Sequence, residues 1–141
     1  MKRILFDINV VLDVLLDRNP HAAASAGAWA AIESGKAEGL LAAHSVTTIY
    51  YLIRKETKAA ESRRMMAAIL KVFGVAPVDA TAVREALQLP CPDFEDGVTA
   101  MAAGHAGCDY IVTRDPRGFR GSPVQSLTPE MLMPLLDGQA K

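Results

Sequence analysis

Three aspartates sit where the apolar stretches of this chain end or begin, and their placement sets the chemistry it could do. Asp7 closes the run Ile4-Leu5-Phe6, and Asp115 closes the run Asp109-Tyr110-Ile111-Val112-Thr113-Arg114. Asp96 stands in the first turn of the helical stretch that leads into the second run. In an open parallel α/β sheet, ligands bind beyond the carboxyl ends of the strands. Three carboxylates from separated segments can therefore reach one point. Like charges at close range cost stability unless a cation or a proton compensates. Hard oxygen donors with no nearby Cys or His pattern select Mg²⁺ or Mn²⁺. Such an ion activates water and stabilises charge on a phosphoryl oxygen, so the set points to phosphodiester chemistry.

Each residue also has a plain structural reading. Asp7 can cap the following helix, Asp96 can complement a helix dipole, and Asp115 can be a turn residue before Pro116. Asn9 is either a helix-start residue or a group that orients a metal-bound water. Thr113 is either a β-branched strand residue or a donor to the site. What favours a site is the joint occurrence of three acids at one sheet edge.

The elements that must position these residues follow from hydrophobic periodicity. Residues 3–7 read as a strand. Asp13 and Asp17, four apart in an apolar run, mark a short amphipathic helix that Asn19-Pro20 ends. Residues 20–34 are Ala-rich and helical, with Gly35 as the stop. A second strand spans 39–43, and Ser45 caps a helix to about Thr57. Helix 60–72, strand 73–78 and helix 80–88 follow. Asp93 caps the helix carrying Glu95 and Asp96, and Gly107 closes it. A strand ends on Asp115, a short one lies at Val124-Gln125-Ser126-Leu127, and the last helix spans 128–136. This alternation predicts a three-layer α/β/α fold around a mainly parallel sheet of about five strands, with right-handed crossovers. Residues 1–137 read as one domain and 138–141 as a frayed tail.

Composition narrows the function classes. The chain has 141 residues, half of them apolar, and a net charge of −1. That excludes a globally basic nucleic-acid binder and leaves only a local patch. Cys91 and Cys108 form no disulfide framework or zinc motif. No apolar stretch approaches the length of a membrane span, and the start Met1-Lys2-Arg3-Ile4-Leu5-Phe6-Asp7 carries acid where a signal peptide would not. The expectation is a cytoplasmic protein with no membrane partner. No Gly-rich phosphate loop is present.

The two motifs together resemble the PIN domain family, VapC-like toxins included. Ile4-Leu5-Phe6-Asp7-Ile8-Asn9 is similar to its D-x-N opening. Asp93-Phe94-Glu95-Asp96, then Asp109 through Asp115 and Phe119, resemble its second half, where an aspartate starts a helix and a strand ends in T-x-[DN]. The alternation of elements matches over nearly the whole chain. The resemblance implies a metal-dependent endoribonuclease acting on RNA, usually dimeric and held inactive by an antitoxin. It implies Asp7, Asp96 and Asp115 as metal-binding and catalytic acids, with Asn9 and Thr113 as supporting polar positions.

One position departs from the family pattern. A glutamate commonly stands near the start of the helix after the second strand, and by register Thr48 occupies that place here. The site then lacks one negative charge. Glu95 could compensate only by facing the site, and its helical position predicts that it points elsewhere. The alternative function is therefore a PIN-like RNA- or protein-binding module with weakened or lost nuclease activity. A receiver-type phosphoacceptor would need a late lysine where Arg114 stands.

Among the basic residues, Arg114 and Arg117 flank Asp115 and are the candidates for binding substrate or pairing with acids. Arg54, Lys55, Lys58, Arg63, Arg64 and Lys71 read as a solvated face. Tyr50 and Tyr51 read as packing at a helix or dimer interface. His21, His44 and His105 have no partner in sequence, and His44 is expected closest to the sheet edge.

Overall fold

A computed structural model describes residues 1–137, so the expected tail at 138–141 lies outside the described residues. Five strands form one sheet: β1 (Arg3–Phe6), β2 (Glu38–Ala42), β3 (Gly74–Ala76), β4 (Tyr110–Val112) and β5 (Gln125–Leu127). Every pair is parallel and the spatial order is β3-β2-β1-β4-β5. The chain builds outward from β1 to β3, then crosses over to lay β4 on the other side of β1. The order thus reverses between β1 and β4, and this is the switch point at which open α/β sheets bind ligands.

The helices are α1 (Ile8–Leu15), α2 (Ala22–Glu33), α3 (Ala43–Glu56), α4 (Ala59–Val72), α5 (Ala80–Ala86), α6 (Phe94–His105) and α7 (Pro129–Asp137). Strand side chains alternate between two cores, as a period of two requires. Ile4, Phe6, Leu41 and Val112 face a core shared with α1, α2, α3, α4 and α7. Leu5, Ala42 and Ile111 face a second core with Ala100, Ala102 and Ala103 of α6. The small residues of α6 let it lie close against the sheet. Burial of each large side chain at the centre of β1, all fully inaccessible, contributes roughly 1.5–3 kcal/mol. Both faces of the sheet are covered, which is the expected three-layer fold.

Three local expectations need correction. Ser45 does not cap α3: the helix begins at Ala43 with Ala42 as N-cap, and Ser45 is buried inside its first turn. The expected strand to Asp115 is shorter. Thr113 N–H still donates to Leu127 O at 2.9 Å, but the chain then leaves the sheet, and Asp115 precedes a 3-10 turn at Pro116–Phe119. Proline at 116 has no N–H to extend a ladder and restricts the residue before it. Finally, α1 begins at Ile8, so Asn9 lies within its first turn, and the helix ends at Leu15, before Asn19-Pro20.

Candidate functional site

The parallel register brings the first acid to the switch point. Phe6 pairs with Val112, and Asp7 N–H donates to Val112 O at 3.0 Å, carrying the β1–β4 ladder one residue further. Asp7 and Thr113 therefore stand side by side. The Thr113 hydroxyl donates to Asp7 Oδ2 at 2.9 Å, and Asp115 N–H donates to Thr113 Oγ1 at 3.2 Å. One buried hydroxyl thus ties Asp7 to the backbone of Asp115. Thr113 is thus more than a strand residue: its hydroxyl is a hydrogen-bond donor to Asp7.

Asp96 arrives from α6. Asp93 is the N-cap as expected: the N–H groups of Glu95 and Asp96 donate to its Oδ1 at 2.7 and 3.3 Å. This cap fixes the helix start, with Asp96 in the first turn. A cleft of about 430 Å³ is lined by Asp7, Asn9, Asp96, Thr113, Asp115 and Gly118, among others. Gly118 leaves a cradle between two carboxylates. A Cβ there would stand 3.3 Å from Asp96 Oδ2 and 3.8 Å from Asp115 Oδ2.

The electrostatics are those of uncompensated acids. Burial pushes the Asp7 carboxyl up to about 6; the Thr113 hydroxyl opposes this and the Glu95 charge adds to it. Asp96 is pushed up to about 7, first by burial and then by Asp7, Glu95, Asp93 and Asp115. Two carboxyls raised above the usual carboxylate range beside other acids are the situation a divalent cation would relieve. Among the described residues, no group of three His, Cys, Asp or Glu side chains is placed to hold a metal ion. The three acids that line the cleft offer only oxygen donors, the chemistry that suits Mg²⁺ or Mn²⁺ rather than a softer ion.

Thr48 contributes no charge. It is half-buried on α3, and its hydroxyl turns back toward His44 O at 3.5 Å. Glu95 was expected to point away from the site, and it does not line the cleft. Its carboxylate meets His44 Nε2 at 3.5 Å, and its charge adds to the upward shift of Asp7 and Asp96.

Arg114 lines the cleft, but its Nε stands 3.1 Å from Asp13 Oδ2. Asp13 is completely inaccessible and also accepts from Ser25 Oγ at 3.1 Å. Of the two roles open to Arg114, pairing with an acid is realised. Arg117 is exposed and lines a separate surface with Arg120, outside the acid cleft. The residue that sequence reasoning missed is Asp13, whose only signal is a lone acid within Val10-Val11-Leu12-Asp13-Val14-Leu15. His21 lines the cleft as well, and nothing in its sequence context marks it. The six basic residues of α3, α4 and their junction are all exposed, as a solvated face requires.

Known proteins match over most of this length. Residues 3–117 match the family profile described as PIN domain. Ribonuclease VapC1 of Aquifex aeolicus (strain VF5) is 23% identical over 134 residues, covering 92% of each chain. The crystal structure of FitAcB from Neisseria gonorrhoeae superposes with a TM-score of 0.69 at 21% identity, over 90% of this chain and 98% of that one. VapBC2 from Rickettsia felis, bound to a DNA fragment from their promoter, gives 0.69 at 12% identity, over 89% and 98%. The fold of these structures is the fold of this chain.

Proposed function

The chain belongs to the PIN domain family, and on that footing we propose that it is a metal-dependent endoribonuclease serving as the toxin of a VapBC-type toxin–antitoxin pair. The observation that carries this is that Asp7, Asp96 and Asp115 line one cleft at the β1/β4 switch point, with Gly118 between Asp96 and Asp115. The ribonuclease name of the Aquifex relative, matched over nearly the whole chain, supports the activity. The VapBC2 pair on promoter DNA supports an antitoxin partner.

In this reading Asp7, Asp96 and Asp115 hold a hydrated Mg²⁺ or Mn²⁺. When bound, the ion supplies an activated water and neutralises charge on the scissile phosphate. Thr113 keeps Asp7 aimed into the cleft, and Asn9, exposed at its rim, orients solvent or substrate. Arg114 offers the guanidinium donors not turned to Asp13 to an RNA phosphate. Arg117, outside the cleft, reaches at most a flanking phosphate. The protein acts in the cytoplasm as a homodimer; no helix among the described residues is long and apolar enough to cross a membrane.

The test is cleavage of single-stranded RNA by the pure protein with Mn²⁺, against EDTA and against Asp7→Asn. Cleavage that needs the metal and Asp7 supports the reading; undiminished cleavage by the variant overturns it. A second reading draws on Thr48: an RNA- or protein-binding module that no longer cuts. Tight RNA binding without cleavage at saturating Mn²⁺ favours that one.

A further inference from the structure

A second hollow, of about 150 Å³, opens beside the acid cleft, and His21 and Arg114 line both. The rest of its lining comes from α2, through Ala24 and Ser25, and from the segment where β5 gives way to α7, through Thr128, Pro129 and Glu130. Its inner wall is held in place. Arg114 Nε stands 3.1 Å from Asp13 Oδ2, and Ser25 Oγ donates to the same oxygen at 3.1 Å. Asp13 and Ser25 are completely inaccessible, so this wall keeps its shape when the hollow fills. Thr128 Oγ1 accepts from Met131 N–H at 3.2 Å, which positions the hydroxyl and leaves its proton to donate.

The lining restricts what fits. A hollow of about 150 Å³ has the volume that takes one six-membered ring. Glu130 is exposed, and its carboxylate repels a phosphate and can only accept a hydrogen bond. The hollow therefore suits a neutral ring that carries an N–H, with an oxygen to meet the Thr128 hydroxyl. A pyrimidine base has both on one edge, an N–H at N3 or N4 and a carbonyl at position 2. The half-buried imidazole of His21 and the apolar Ala24 and Pro129 give its ring faces something to pack on. We propose that this hollow is the subsite for one pyrimidine of the RNA strand, adjacent to the phosphodiester in the acid cleft, with Glu130 and Thr128 reading its edge. This rests on the nuclease reading above and deepens it by naming the base beside the cut. Arg114 stands between the two hollows, where the phosphate joining the two nucleotides passes.

The experiment is cleavage of short single-stranded RNAs by the full chain at pH 8 with saturating Mn²⁺. The bases on each side of the cut are changed between pyrimidine and purine, one position at a time. Wild type is expected to prefer a pyrimidine at one of these positions by about 10-fold or more in kcat/KM, the scale on which a pocket rejects a group too large for it. Ala24→Leu fills the hollow from a residue that does not line the acid cleft, and Glu130→Gln removes the charge at nearly constant volume. Circular dichroism checks that each variant is folded. Both are expected to cut the preference at that position several-fold, through a raised KM for the favoured RNA. A flat wild-type profile, a purine preference, or a pyrimidine preference that either folded variant keeps in full overturns the proposal and leaves the nuclease reading standing. Wild type that cleaves none of the RNAs overturns the nuclease reading and the subsite with it.

Discussion

The Thr113 hydroxyl donates a 2.9 Å hydrogen bond to Asp7 Oδ2, joining residues 106 positions apart at the ends of neighbouring strands. Both residues are buried, at 1% and 7% exposure, so water cannot replace the bond. It favours the charged form of Asp7 and opposes the burial that raises its pKa. Thr113→Val is therefore expected to push the Asp7 carboxyl above about 6 and to cost about 1–3 kcal/mol at pH 8. At pH 5 the carboxyl is protonated and the cost should shrink. Urea denaturation at the two pH values measures this, and an equal cost at both contradicts it.

Metal and protons are expected to compete for the same acids. Asp7 and Asp96 have folded-state values of about 6 and about 7 against 3.8 unfolded. Between these values the folded state binds more protons, so its stability falls as pH rises. The metal-free protein should thus melt higher at pH 5 than at pH 8 as far as these two groups decide it. Asp96→Asn isolates the effect: it should raise the metal-free Tm at pH 8 and flatten the dependence. Mn²⁺ should raise the wild-type Tm at pH 8 and do nothing at pH 5, since only the deprotonated set binds it. A Tm shift with Mn²⁺ that is independent of pH contradicts the account.

Arg114 is expected to matter for stability before it matters for substrate. Its pairing with Asp13 joins α1 to the segment just before Asp115. Removing one partner of a buried pair leaves a buried charge uncompensated and costs ~3–5 kcal/mol. The Arg114 side chain is 29% exposed, which softens this, so Arg114→Met is expected to cost about 2–4 kcal/mol. Adding Asp13→Asn should restore a large part of that loss, because the stranded charge is gone. A double variant less stable than Arg114→Met by the full cost of Asp13→Asn contradicts the pairing.

Much of the fold was legible because it rests on local pattern. The alternation of Ile4, Leu5 and Phe6 between two cores, the Gly35 stop and the Asp93 cap are short-range signals with direct physical causes. The acids were legible for the same reason, since strand ends and helix starts in a parallel sheet share one edge. Long-range partners were not. Nothing near Asp13 in sequence announces Arg114, and the burial of that acid depends on a contact across the whole chain. The partner of Glu95 was likewise hidden, because helical phase says nothing of the His44 imidazole, which comes from another helix. The strand to Asp115 was drawn too long because no breaker precedes Pro116 in the sequence, whereas the last ladder bond is made by Thr113 N–H.

The most direct test of the central claim is the rate of RNA cleavage by wild type and Asp96→Asn at pH 8 with saturating Mn²⁺. Both proteins are folded in this account, and the variant is the more stable without metal. The prediction is metal-dependent cleavage by wild type and a loss of at least about 100-fold in Asp96→Asn, the scale of removing one preorganised charged group from a catalytic site. Equal cleavage by the two proteins, or cleavage by wild type that survives EDTA, would contradict it.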